Sequence, residues 1–211
     1  MGNCPPAPVI RRKLDLMQHF HHHIGGWAAF SQLYIDAVKH FPSGSRFVEV
    51  GSWLGKSAAL MGVEIENSAK QIEFVCVDPW IDGGPDLRDT KYFKELHVPQ
   101  VYDLFLLNVR PVLHRIKTMR MPSVEAARFM ADETVDFIML DGDHSYDAVK
   151  ADISAWLPKM KKGGIMSGDD YTWPGVETAV REAFGARANA IFKSRRSSDY
   201  KKDSSFWMVT L

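Results

Sequence analysis

The sequence predicts an α/β fold, a doubly wound sheet of seven strands, mostly parallel, with the last strand antiparallel. Two observations predict it. From Arg46 onward, short apolar runs alternate with stretches of helical periodicity. The runs are apolar nearly throughout, as in strands covered by helices on both faces. The last two runs, Ala190–Phe192 and Phe206–Thr210, have no helix between them. Parallel neighbours need a crossover, so the final strand reverses, inserted into the sheet or added at one edge.

The elements follow in order. Residues 1–13 are Pro-rich and then basic (Arg11, Arg12, Lys13), which suits a loose lead-in. Over 27–40, Trp27, Phe30, Leu33, Tyr34, Ala37 and Val38 share one helical face, and Pro42 ends the helix. Phe47–Val50 is the first strand, 55–66 a helix, and Ile72–Val77 the second strand. A Gly/Pro/Asp-rich loop over 82–90 precedes a helix near 99–110. Ile116–Met121 is the third strand, 123–131 a helix, Val135–Leu140 the fourth strand and Tyr146–Met160 a helix. Lys161-Lys-Gly-Gly164 reads as the stop of that helix, with a left-handed glycine cap and lysines at the negative helix end. Ile165-Met166 opens the fifth strand, and a helix over 174–184 leads to the last two strands, joined by the polar, basic 193–205. Residues 1–45 form an N-terminal helical or lid segment, and 46–211 the main domain.

Composition narrows the function. A chain of 211 residues, 45% hydrophobic and 25% charged, supports a full core and excludes wholesale disorder. Lys+Arg 26 balance Asp+Glu 26. Zero net charge argues against nucleic acid as the main partner, while allowing a local basic patch such as Lys193–Arg196. Cys4 and Cys76 alone cannot make a disulfide framework or a zinc knuckle. No apolar run is long enough to span a membrane and none follows the start as a signal peptide would, so a cytoplasmic protein is expected. Monomer and homo-oligomer both stay open.

In open sheets of this kind the ligand lies beyond the carboxyl ends of the strands. In Val48-Glu-Val-Gly-Ser-Trp-Leu-Gly-Lys-Ser57 a strand ends near Glu49, and Gly51 and Gly55 bracket the turn into a helix. Glycines allow a sharp turn and close approach of a ligand to the backbone. Their spacing of four is neither G-x-G-x-x-G nor the five of a P-loop, despite Lys56-Ser57. Asp78 closes the second strand about 27 residues after Gly51, where a carboxylate can accept the ribose hydroxyls of an adenosine. Trp80 either walls that adenosine or packs in the core. Ser123, after the third strand, is suited to N-cap the next helix. Asp141, Asp143 and His144 lie just past the fourth strand, and Asp169 and Asp170 past the fifth. Carboxylates converging there repel one another and hold protons more tightly. A hard divalent cation, Mg²⁺ or Mn²⁺, relieves this, and the shortage of Cys and His argues against zinc.

The pattern E-x-G-x-x-x-G-x-S over Glu49–Ser57 resembles motif I of class I S-adenosylmethionine-dependent methyltransferases. D-x-x-H (Asp141 to His144) followed by an acid pair resembles the metal-dependent O-methyltransferase branch, notably the macrolide-sugar and cephalosporin-biosynthesis enzymes. The likeness covers about residues 46–185. It implies a Rossmann-like fold with S-adenosylmethionine as cofactor. Glu49, Gly51, Ser52, Gly55 and Ser57 would line the methionine part, Asp78 the ribose, Trp80 the adenosine and the Ser123 turn the adenine, with Asp141 adjoining the cofactor. It further implies Asp141, Asp169 and Asp170 as ligands of Mg²⁺ or Mn²⁺, and His144, with Asp141 beside it, as the catalytic base. The branch often has Glu where this chain has Asp169, which leaves Asp143 as an alternative ligand. The implied reaction is methyl transfer to a hydroxyl of a small molecule or sugar. A metal-independent class I methyltransferase acting on nucleic acid or protein, and a non-catalytic nucleotide-binding Rossmann-like domain, remain as alternatives. Neutral charge and the lack of an N/D-P-P-Y motif weigh against the first. The tract His19, His21, His22, His23 reads as a flexible segment or substrate lid hinged at Gly25-Gly26-Trp27. Tyr171 and Trp173 divide between acceptor pocket and core.

Overall fold

A computed structural model describes residues 16–81, 101–193 and 204–211. Seven strands build one sheet: β1 (Arg46–Val50), β2 (Glu73–Val77), β3 (Ile116–Met119), β4 (Val135–Leu140), β5 (Met160–Asp169), β6 (Asn189–Lys193) and β7 (Ser204–Thr210). Their order is β3-β2-β1-β4-β5-β7-β6. β1 to β5 pair in parallel, and β7 runs antiparallel to both β5 and β6. The reversed strand is therefore inserted between β5 and β6, one of the two positions the sequence left open. Strand order turns over between β1 and β4, and the carboxyl ends of β2, β1, β4 and β5 open side by side at that switch point.

Alternation along the central strands assigns each residue to one of two cores. Phe47, Phe74, Cys76, Phe137 and Met139 face the layer of α1 (Ser31–His40), α2 (Lys56–Ser68) and α3 (Val101–Val109). Val48, Val50, Val75, Val77, Ile138 and Leu140 face α4 (Ser123–Ala127), α5 (Tyr146–Trp156) and α6 (Pro174–Phe184). The same parity sends Glu49, between Val48 and Val50, to the α1 side. At the opposite end of the strands, Asp136 accepts from the backbone N–H of Arg46 (2.8 Å) and pairs with Lys161 (2.9 Å), tying β1, β4 and β5 together.

Some boundaries differ from the sequence reading. α1 begins at Ser31, whose hydroxyl donates to Ala28 O (2.6 Å), so Trp27 lies ahead of the helix. α5 stops at Trp156, and the turn Leu157–Lys159 around Pro158 leads directly into β5. Lys161–Gly164 is therefore the irregular start of a strand, not a helix cap. Gly163 does take a left-handed φ of 80°, but its N–H donates to Leu211 O (2.6 Å) and Leu211 N–H to Gly164 O (3.0 Å). Pairing with the distant C-terminus overrides the local cap signal. The 1–13 lead-in, the 82–90 loop, residues 99 and 100 and most of the 193–205 connection lie outside the described residues.

The segment carrying the histidine tract packs against α2 on either side of the exposed His22 and His23. His21–His23 form a 3₁₀ turn, and His19 Nε2 lies 2.8 Å from Glu64 of α2. Met17 and Asn67 exchange two hydrogen bonds (2.7 and 3.0 Å), and Lys56 Nζ donates to Ile24 O (3.0 Å). Ile24, Phe30, Leu33, Tyr34, Val38 and Phe41 join the core of α2. Burial, with His19, His22 and Lys56 nearby, lowers the pKa of His21. No helix among the described residues is long and apolar enough to cross a membrane.

Candidate functional site

The turn after β1 is shaped by backbone. Gly51 has φ 87°, its N–H donates to Val77 O (2.9 Å), and a Cβ there would lie 1.9 Å from Asp141 O. Only glycine fits both the left-handed φ and that approach. Gly55, at φ 84°, opens α2, and a Cβ on it would strike Val109 and Phe105 at 2.7 and 2.9 Å. Gly55 thus serves close packing against α3.

Asp78 joins this turn to the end of β2. Its Oδ2 accepts from Trp53 N–H (2.9 Å) and its Oδ1 from Trp80 N–H (2.6 Å). Burial raises its pKa, and these two N–H groups oppose the rise. Trp53 and Trp80 both sit in the left-handed region, φ 40° and 44°. Bulky residues there are strained and persist only when the surroundings fix them. The fixing contacts are Asp78 and a hydrogen bond from Trp80 Nε1 to Trp53 O (2.8 Å). The Trp80 indole is buried against Tyr102 and Phe105. Trp27 stacks on Trp53 (centroids 5.8 Å, 18°) and stays 43% exposed.

Glu49 is 1% exposed, and its Oε2 accepts from Tyr34 O–H at 2.6 Å. Its Oε1 is buried and without a hydrogen-bond partner among the described residues. Burial raises the carboxyl's pKa, while the hydroxyls of Tyr34, Ser52 and Ser57 favour the charged form. Ser52 and Ser57 are themselves buried beside it.

The second half of the site lies at the ends of β4 and β5. Leu140 pairs with Gly168, so Asp141 and Asp169 emerge as the next residues on adjacent strands. The pKa of Asp141 is well above the usual carboxylate range, through burial first and then Asp169, Asp170, Glu49 and Asp78. Asp169 is buried, and Asp170 takes φ 51°. His144 Nε2 stands 3.4 Å from Asp170 Oδ2 and 3.9 Å from Asp141 Oδ1, with Trp173 against its ring (5.2 Å). Asp143, the alternative ligand, instead accepts from Ser145 N–H (2.7 Å) at the entry to α5, where Ser145 is the N-cap.

Ser123 departs from expectation. Pro122 is the N-cap of α4, and Ser123 is the first helical residue. Its hydroxyl accepts from Trp156 Nε1 (2.8 Å) and bonds to Asp152, which holds it on the helix face instead of at the cap. Asp152 is 8% exposed on α5, with a pKa pushed up to about 6 by burial. The one signal for it in the sequence is an acid among Val149, Ile153 and Trp156 on an apolar stripe. For Tyr34 the sequence shows only a place on the apolar face of its helix.

Glu49, Gly51, Ser52, Ser57, Asp78 and Asp141 thus meet at the carboxyl ends of β1, β2 and β4, where open sheets of this kind hold their ligand crevice, with Asp169 and Asp170 near Asp141 and His144 beside Asp141 and Asp170. Gly55 packs against α3, Trp80 against Tyr102 and Phe105, and the Ser123 hydroxyl accepts from Trp156. Among the described residues no three His, Cys, Asp or Glu stand arranged as a ready metal-binding group.

The sheet order, the inserted antiparallel strand and the glycine turn at the switch point define a Rossmann-like domain of the class I methyltransferase type. A family model described as a methyltransferase domain matches residues 48–171, and the chain belongs to this family of S-adenosylmethionine-dependent methyltransferases. Its fold is similar to that of cofactor-bound Rv0187 from MTB (15% identity, TM-score 0.63, 89% of this chain and 81% of that one). It is also similar to the O-methyltransferase NovP (19%, 0.62, 86% and 80%). A third is the S-adenosylmethionine-dependent O-methyltransferase TM0748 from Thermotoga maritima (10%, 0.57, 89% and 66%). At these identities the likeness is one of fold. No curated protein matches the sequence. The crevice fits the cofactor on its own chemistry. A buried carboxylate oxygen without a partner is costly, and a cationic amino-acid end would supply that partner.

Proposed function

We propose that the protein is an O-methyltransferase that moves the methyl group of S-adenosylmethionine to a hydroxyl of a small molecule or sugar, assisted by Mg²⁺ or Mn²⁺. The observation that carries this reading is the convergence of Asp169 and Asp170 on Asp141 at the ends of β4 and β5, with His144 beside Asp141 and Asp170. Their oxygens are the donor set a hard cation takes, and its charge would remove the repulsion that raises Asp141. Asp141, Asp169 and Asp170 would hold the ion, which supplies Lewis acidity toward the acceptor oxygen. His144 receives the hydroxyl proton as the oxygen attacks the methyl carbon. The carbon–sulfur bond breaks and sulfur leaves as a neutral thioether. Glu49 receives the cofactor's ammonium. Asp78, with one lone pair left on each oxygen, receives the ribose hydroxyls. The turn of Gly51 and Ser52 sets the methyl group in line, the alignment on which displacement depends. NovP and TM0748, similar in fold, carry the name O-methyltransferase, which supports oxygen as the acceptor atom.

Thermal unfolding tests the reading. S-adenosylhomocysteine should raise the melting temperature and NAD should not. Mg²⁺ should add a further rise in the wild type and none in the Asp169→Asn/Asp170→Asn double variant. An equal Mg²⁺ effect in both proteins, or none in either, removes the metal and leaves a metal-independent class I methyltransferase.

A further inference from the structure

We infer that Tyr34, in the N-terminal segment outside the matched family region, is a positioning residue of the cofactor site. Its hydroxyl fixes the Glu49 carboxylate so that the partnerless oxygen receives the α-ammonium of the methyl donor. The inference rests on the role given to Glu49 above. Tyr34 is 0% exposed and its O–H lies 2.6 Å from Glu49 Oε2. The ring is held by Phe30 (5.0 Å) and, edge-on, by Phe137 of β4 (5.8 Å, 88°). The donor is therefore fixed by α1 and by the strand beside β1. Burial and Glu49 push the Tyr34 pKa well above its ordinary value, so the group stays a donor. A hydrogen bond to a charged acceptor is among the stronger kinds and is directional. One carboxylate oxygen is thereby committed, the rotation of the group is fixed, and Oε1 is left as the acceptor. A tyrosine serving only to fill the core would need no acid on the neighbouring strand, and phenylalanine would serve as well.

Calorimetry with two probes tests this. S-adenosylhomocysteine carries the amino-acid end, whereas 5′-methylthioadenosine keeps the adenosine and thioether and lacks it. Tyr34→Phe should weaken S-adenosylhomocysteine about tenfold and leave 5′-methylthioadenosine unchanged. Glu49→Gln should show the same selective loss, and adding Tyr34→Phe to it should cost nothing further for either ligand. An equal loss of both ligands in Tyr34→Phe, or no loss, makes Tyr34 a core residue and overturns the inference. If the single variant does not fold, the double variant still decides, because it leaves no carboxylate without its donor. Weaker binding of both ligands than in Glu49→Gln would then overturn it. Undiminished S-adenosylhomocysteine binding in Glu49→Gln would instead remove the role of Glu49, and no binding to the wild type would remove the donor site itself.

Discussion

The two ends of the crevice are built in opposite ways. At the β1–β2 end charge is answered by fixed groups, with Asp78 held by two backbone N–H groups and Glu49 by Tyr34. The backbone there is committed to left-handed turns at Gly51, Trp53, Gly55 and Trp80. At the β4–β5 end burial, then Asp169 and Asp170, raise the proton affinity of Asp141, and His144 stands beside Asp141 and Asp170. The first end is shaped before any ligand arrives, and preorganisation of that kind favours affinity. The second end gains most when positive charge is brought to it. Binding and chemistry should therefore separate along the line between β1 and β4.

The largest effect should come from His144→Ala. Loss of a positioned base costs on the order of 10²–10⁴ in turnover, while calorimetric affinity for S-adenosylhomocysteine should stay at the wild-type value. A matching fall in that affinity would erase the division between the ends. Gly51→Ala tests the point where they touch. The new Cβ would lie 1.9 Å from Asp141 O at a φ of 87°, so the ends of β1 and β4 must part. Strain and clash together should cost about 3 kcal/mol or more in urea unfolding. Wild-type stability would mean that the strands are free to shift there.

Much of the β4–β5 end was legible in the sequence, because acids that follow a buried run land at a strand end whatever the rest of the chain does. The β1–β2 end was legible only in outline. Gly51, Gly55 and Asp78 mark a turn and an acid, but the bond that Asp78 accepts from Trp53 N–H depends on the pairing of β1 with β2, which local pattern does not encode. Tyr34 and Glu49 meet because α1 packs across β1 and strand parity turns Glu49 toward it, a non-local fact. Local signals also failed where a distant partner took over. Gly163 pairs with the C-terminus instead of capping a helix, and the Ser123 hydroxyl turns to Trp156 and Asp152.

Asp152→Asn should have a smaller effect and of opposite sign. The folded protein holds this carboxyl's proton up to about pH 6, whereas an unfolded chain releases it near ~3.9. Folding is thus penalised increasingly as pH rises from about 4 to about 6, and fully above that. Asparagine keeps an acceptor for Ser123 without the charge, so the variant should be more stable by up to about 3 kcal/mol at pH 8. The gain should vanish near pH 4 in paired melting curves. A gain independent of pH would show that charge burial is not its cause.

Trp27→Ala is the smallest effect and the sharpest test of which end the N-terminal segment serves. Trp27 stacks on Trp53, whose N–H is one of the two groups holding Asp78. An aromatic pair is worth about 0.5–1.5 kcal/mol beyond the area it covers. Removing it should loosen the β1–β2 turn alone, raising the Kd for S-adenosylhomocysteine roughly threefold to tenfold by that energy with turnover at saturating cofactor unchanged. If turnover or the acceptor KM changes while Kd does not, the exposed indole belongs to the acceptor side, and the segment from Met17 to Phe41 spans both ends instead of bracing one.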